Sequence, residues 1–132
     1  MASLRVRVDQ ASGTPVLRQI ADQLRVLLVE GALAPGAALP PVRRMAVDLG
    51  VHFNTVAEAY RQLAAEGWLD LRHGSGARVV ERTAPAASRQ DLQDYRQRLR
   101  ELISQMRAQG VPAARIATEL RALAAGIQGE TP

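Results

Sequence analysis

Between residues 41 and 66, two stretches with helical apolar spacing follow one another with only Gly50 and a short hinge between them. Val42, Met45, Ala46 and Leu49 mark the inward side of the first, and Val56, Ala59, Tyr60 and Leu63 that of the second, which opens at Phe53. Helices this close in sequence must cross steeply. The crossing needs a small residue where the backbones approach and a turn residue free to take the left-handed conformation, and Ala46 and Gly50 supply them. The spacing therefore predicts a helix-turn-helix with helices over 41–49 and 53–66. Gly67 stops the second helix, and the apolar period drops from about 3.6 to about 2. Trp68, Leu69 and Leu71 lead into His73-Gly74-Ser75-Gly76, and Ala77, Val79 and Val80 return as the second arm of a hairpin. A lone hairpin is marginal in water, so this one must lean on the helices, with Trp68 as its anchor.

Upstream, Leu4, Val6 and Val8 alternate with Arg5 and Arg7, which predicts a short half-buried strand over 3–9 or a frayed arm. Thr14 is the expected N-cap of a first helix with Pro15 at its first position, and Leu17, Ile20, Leu24 and Leu27 carry that helix to about Glu30. Downstream, Thr83-Ala84-Pro85-Ala86-Ala87 reads as a linker, and Ser88 with Asp91 as a capping box. Leu92, Tyr95, Leu99, Leu102 and Met106 then form a stripe at alternating spacings of three and four, widened by Ile103. Gly110-Val111-Pro112 breaks that helix, and Ile116, Leu120, Leu123 and Ile127 mark one more. Two such helices cannot enclose a core, so their stripes are expected to cover each other and then a second copy, the alternative being the first domain. The fold class is mainly α with a small β wing: a winged helix-turn-helix over 1–82 and a two-helix dimerisation region over 88–128.

Composition narrows the chemistry. Apolar residues make up 47% of the chain, but Phe53, Tyr60, Trp68 and Tyr95 are its only aromatic ones, which suits close-packed helices and not a large aromatic-lined pocket. With no cysteine and only His52 and His73, no disulfide, zinc finger, iron–sulfur site or thiol chemistry is expected, and neither is any metal or cofactor. No Ser/His/Asp set, carboxylate pair or phosphate loop is evident, so an enzyme is not expected. No apolar run approaches the roughly 18 residues of a membrane helix, and no leader is recognisable, so a cytoplasmic protein without a membrane partner is the expectation. All 17 basic residues are arginine against 13 acidic ones, for a net charge of +4. Arginine offers planar, bidentate donors, although genome base composition produces the same bias. Position says more than bulk charge: Arg43, Arg44, Arg72, Arg78 and Arg82 gather at the second helix and the wing, and Arg5 and Arg7 could extend them as an arm. Arg96, Arg98, Arg100 and Arg107 read as the wet side of the tail.

These residues resemble the GntR family of transcriptional regulators, in particular its short YtrA-like branch. Thr14-Pro15-Val16-Leu17-Arg18-Gln19-Ile20-Ala21 is similar to the start of that family's first helix, and Gly36 with Leu39-Pro40-Pro41-Val42-Arg43 to its G-x-x-L-P-S-x-R segment. Asn54-Thr55-Val56, Ala59-Tyr60, Leu63, Glu66-Gly67 and Gly74-Ser75-Gly76-Ala77-Arg78-Val79 continue the match. The resemblance implies double-stranded operator DNA as partner, a homodimer, and repression from a palindromic site, with a small-molecule effector left open. It implies that Arg43 reaches a phosphate or base edge, that Asn54 and Thr55 front the recognition helix, that Gly74 approaches the minor groove or its backbone, and that His73 holds a wing position that is basic or polar in many relatives. An asparagine there can bind adenine bidentately. Departures occur at Pro41, where the family has a capping serine, at His52, in the usual polar cap position, at Glu58 and at Phe53. Glu58 is read as accepting from a cytosine, orienting Arg43, or lying in solvent. Phe53 either touches a thymine methyl or packs against the wing or the N-terminal arm. The rival from another class is a winged-helix module that binds protein instead of DNA.

Overall fold

The structure, a computed structural model, describes residues 5–72, 76–82 and 88–128, and the chain divides into two compact units, Met1–Ala84 and Pro85–Pro132. The first unit runs α1 (Val16–Val29), β1 (Ala38–Leu39), α2 (Val42–Leu49), α3 (Phe53–Ala65), β2 (Leu69–Asp70) and β3 (Ala77–Val79). Helix α3 is the hub, packing against both α1 and α2. Its Val56, Ala59 and Leu63 are fully buried and Tyr60 nearly so, against Ile20, Ala21 and Leu24 of α1 and Met45 and Ala46 of α2. These are the inward positions that the periodicity assigns. Gly50 ends α2 with φ 68°, a backbone conformation that side-chain-bearing residues seldom adopt, and the next helix begins three residues later.

The wing differs from the expected hairpin. The sheet has three strands in the order β1-β3-β2, all antiparallel, with Ala38 opposite Arg78 and Leu69 opposite Val79. The extra strand lies in the lead-in to α2. Backbone bonds from Gly36 N–H to the Val79 carbonyl and from Val79 N–H to the Ala37 carbonyl, both 2.8 Å, continue the pairing beyond Ala38–Leu39. A third strand gives the hairpin the support that two strands lack. Trp68, the expected anchor, is half-buried against the core, whereas Leu69, Ala77 and Val79 are buried.

Two other expectations need correction. Residues 5–9 form no strand. Val6 is buried, but the flanking backbone is held by two glutamine side chains of α1: Gln23 exchanges hydrogen bonds with Arg7 N–H (2.9 Å) and carbonyl (2.6 Å), and Gln19 with those of Asp9 (2.9 and 3.0 Å). Residues four apart on a helix rise about 6 Å, close to the roughly 6.6 Å between alternate residues of an extended chain. The two carboxamides thus stand in for a neighbouring strand. Thr14 does not cap α1. Pro15 is the N-cap, extended at φ −56° and ψ 144°, and Pro41 and Pro112 occupy the same position before α2 and α5, none with a side-chain cap.

The second unit contains α4 (Arg89–Ala108) and α5 (Ala113–Ile127), which pack against each other. Ser88 and Asp91 form the reciprocal capping box, with bonds of 3.0 and 3.2 Å. Ile116 is buried, and Ile103 and Met106 are half-buried.

Candidate nucleic-acid interface

Helix α2 begins in a way that disfavours the helix and favours an anion. Its N-cap Pro41 offers no side-chain acceptor, its first turn holds no acidic residue, and Arg43 and Arg44 stand exposed there. Two cations at the positive end of a helix dipole each cost about 0.3–1 kcal/mol, a cost that a bound phosphate would reverse. The approach to this turn is pinned from below: the Tyr60 hydroxyl donates to the Pro40 carbonyl at 2.7 Å and touches Met45 Sδ at 3.6 Å. Burial drives the Tyr60 phenol well above its ordinary pKa, so it remains a neutral donor.

Helix α3 presents its first turn beside Arg43. Its N-cap is His52, whose Nδ1 accepts from Asn54 N–H at 3.1 Å while its carbonyl accepts from Thr55 N–H at 3.1 Å. The histidine therefore does the capping work of the missing polar residue. Asn54 is exposed and Thr55 half-buried. Phe53 is 44% exposed; among the described residues its ring stacks on His52, with centroids 4.8 Å apart, and lies under the Arg43 guanidinium, whose Cζ is 5.6 Å from the ring centre. The sequence points Phe53 to a thymine methyl or to packing against the wing or the N-terminal arm, and neither alternative includes these two ring contacts. Glu58 does not orient Arg43, because Arg61 holds it through Nη2 at 2.6 Å and Nε at 3.0 Å.

The wing arginines are more constrained. Arg72 donates its backbone N–H (2.9 Å) and two guanidinium nitrogens (3.0 and 3.1 Å) to Asp70, and this carboxylate raises its pKa. Arg78 lies across the sheet from the same Asp70 and reaches the Gly36 carbonyl at 3.4 Å. Asp70 was missed as a counter-charge, although the period of two that marks the strand also puts residues 70 and 72 on one side. Arg82 does not join this group: it covers the Trp68 ring at 4.7 Å and donates to the Glu66 carbonyl at 2.8 Å. His73 and Gly74 lie outside the described residues.

An exposed polar helix start beside an uncapped basic one, with a small sheet alongside, is the geometry by which winged helices present a recognition helix. The model of bacterial regulatory proteins, gntR family, matches residues 17–79. YtrA from Sulfolobus acidocaldarius, a GntR-family transcription factor of known structure, is 30% identical, with 92% of this chain and 97% of that one covered and a TM-score of 0.55. The chain belongs to the GntR family. Its place in the short YtrA-like branch is supported by the HTH-type transcriptional repressor YtrA of Bacillus subtilis (strain 168), 27% identical over 124 residues that span 94% of this chain and 95% of the relative. By contrast, the probable rhizopine catabolism regulatory protein MocR of Rhizobium meliloti is 44% identical over 73 residues, but the match covers only 15% of its length.

This GntR-family chain is a sequence-specific DNA-binding regulator and not an enzyme. Among the described residues no group of three or more His, Asp or Glu side chains could hold a metal, and no helix is long and apolar enough to cross a membrane. The tail carries a separate feature. Leu92, Tyr95, Leu99 and Leu102 of α4 and Leu120, Leu123 and Ile127 of α5 are 40–62% exposed in the single chain. Ile116, read from the sequence as part of the pairing stripe, is already only 4% exposed and is therefore not available to a partner in the same way.

Proposed function

We propose that the protein is a homodimeric repressor whose residues 1–82 read a palindromic operator in the cytoplasm and whose residues 88–128 pair the subunits. Repression is supported by the likeness to the Bacillus subtilis repressor YtrA, and pairing by the exposed apolar stripe on α4 and α5. In this reading Arg43 and Arg44 hold phosphates at the start of α2, and Asn54 and Thr55 meet base edges in the major groove. Arg72, His73, Gly74 and Arg78 bring the wing to the neighbouring backbone, and an effector would act by changing the separation of the two heads.

The observation that carries the reading is the juxtaposition of Arg43 with the exposed first turn of α3. A module built to bind protein has no need of an uncapped, doubly basic helix start beside an exposed asparagine. The test compares Arg43→Ala with Asn54→Ala by fluorescence anisotropy over a salt series, on a selected duplex and a scrambled one. Arg43→Ala should weaken both duplexes alike and lower the slope of log affinity against log salt by about 0.9 per subunit. Asn54→Ala should cost about 1–3 kcal/mol per half-site on the selected duplex alone. If neither variant changes DNA affinity, the protein-binding alternative takes precedence.

A further inference from the structure

Arg43 and Arg72 are held by opposite means. Arg72 is clamped by Asp70, which takes two of its guanidinium nitrogens and compensates its charge. Arg43 is held over an aromatic face, with Cζ 5.6 Å from the Phe53 centroid. A ring face attracts the cation without taking any N–H donor or cancelling its charge. Glu58, the acidic residue of α3, is occupied by Arg61. Phe53 is in turn backed by the His52 ring, at 4.8 Å and an interplanar angle of 24°, and that ring is fixed because its Nδ1 caps Asn54 N–H. A continuous chain of contacts therefore runs from the backbone of Asn54 through His52 and Phe53 to the guanidinium of Arg43, joining the starts of α3 and α2. The 44% exposure of Phe53 sets it apart from the core, where Val56, Ala59, Tyr60 and Leu63 of the same helix are almost wholly covered.

From this geometry we infer that Phe53, backed by His52, is a positioning residue: its ring holds Arg43 extended over the first turn of α3 with its charge and donors free for DNA. A free arginine at a helix start must lose rotamers on binding, and a ring that restricts them beforehand lowers that loss. The inference rests on the proposed DNA contact of Arg43. It assigns Phe53 a role other than touching a thymine methyl.

The test is a double-mutant cycle on the full chain, read by anisotropy on a duplex recovered by selection from a random pool. Helix content and melting temperature are followed for each variant. Phe53→Leu keeps an apolar side chain of similar reach and removes the π face, and it should weaken binding about two- to fivefold per head. Phe53→Tyr should bind like the parent. In an Arg43→Ala background, Phe53→Leu should have no further effect. His52→Ser, which keeps a capping acceptor and removes the backing ring, should give a smaller loss that also vanishes without Arg43. Equal losses from Phe53→Leu with and without Arg43, or a Tyr variant as weak as the Leu variant, would overturn the positioning role while leaving the Arg43 contact standing. An Arg43→Ala chain that binds like the parent would overturn both.

Discussion

The apolar stripe of the tail allows a quantitative prediction about pairing. Leu99 and Leu102 are 55% and 53% exposed in the single chain, so a partner helix would remove about half of each side chain from water. Full burial of a leucine stabilises by about 1.5–3 kcal/mol, and half of that is about 0.8–1.5 kcal/mol. In a symmetric dimer each position counts twice. The combined change Leu99→Ala and Leu102→Ala should therefore weaken the dimer by about 3–6 kcal/mol, a factor on the order of 10² to 10⁴ in Kd. The isolated chain should lose less than the dimer, because about half of each side chain already lies in solvent and alanine favours a helix at least as well as leucine. Sedimentation equilibrium over a wide concentration range measures the dissociation constant, and circular dichroism checks that the helices persist. A shift of less than about tenfold, or a parent chain that is monomeric at tens of micromolar, would refute the assignment of this stripe to pairing.

Other outcomes follow from the core of the first unit. Tyr60→Phe keeps the buried ring but strips the Pro40 carbonyl of its donor, and should lower the urea unfolding free energy by about 0.5–1.5 kcal/mol with an unchanged m-value. Glu66 accepts two bonds from Arg25, at 2.8 and 2.7 Å, tying the end of α3 to α1, and this partner holds its carboxyl below the ordinary range. A depressed folded-state pKa gives stability that is present above the unfolded value, near 4.3, and lost as pH falls through the folded value. With both side chains about a third exposed, Glu66→Gln should cost only about 0.5–1 kcal/mol at neutral pH, and thermal unfolding across pH 2–7 should show less acid lability than in the parent.

The parts of this fold legible from the chain are those in which one helix face is buried. Val56, Ala59, Tyr60 and Leu63 repeat because a single helix is covered by α1 on one flank and α2 on the other, and Gly50 stands where the backbone turns left-handed. Strand β1 escaped because two residues in a loop have no period, and its pairing is made by backbone groups around Gly36 and Ala37. The extended segment at 5–9 does alternate, but its backbone bonds go to Gln19 and Gln23, polar side chains of α1 that no apolar period marks as partners. At the candidate interface the residue types near Arg43 and Asn54 were apparent from the chain. The stacking of Phe53 was not, since it joins helices whose relative angle no local pattern specifies. Nor was the clamp of Asp70 on Arg72, which is short-range but becomes visible only once the strand and its side are known.

The most direct test of the central claim is selection of duplexes bound by the full chain from a random pool. The account predicts enrichment of one short sequence present twice, in inverted orientation and at a fixed spacing, as two heads related by a twofold axis require. A bound pool no different in sequence from the input, with affinity set by salt alone, would contradict it.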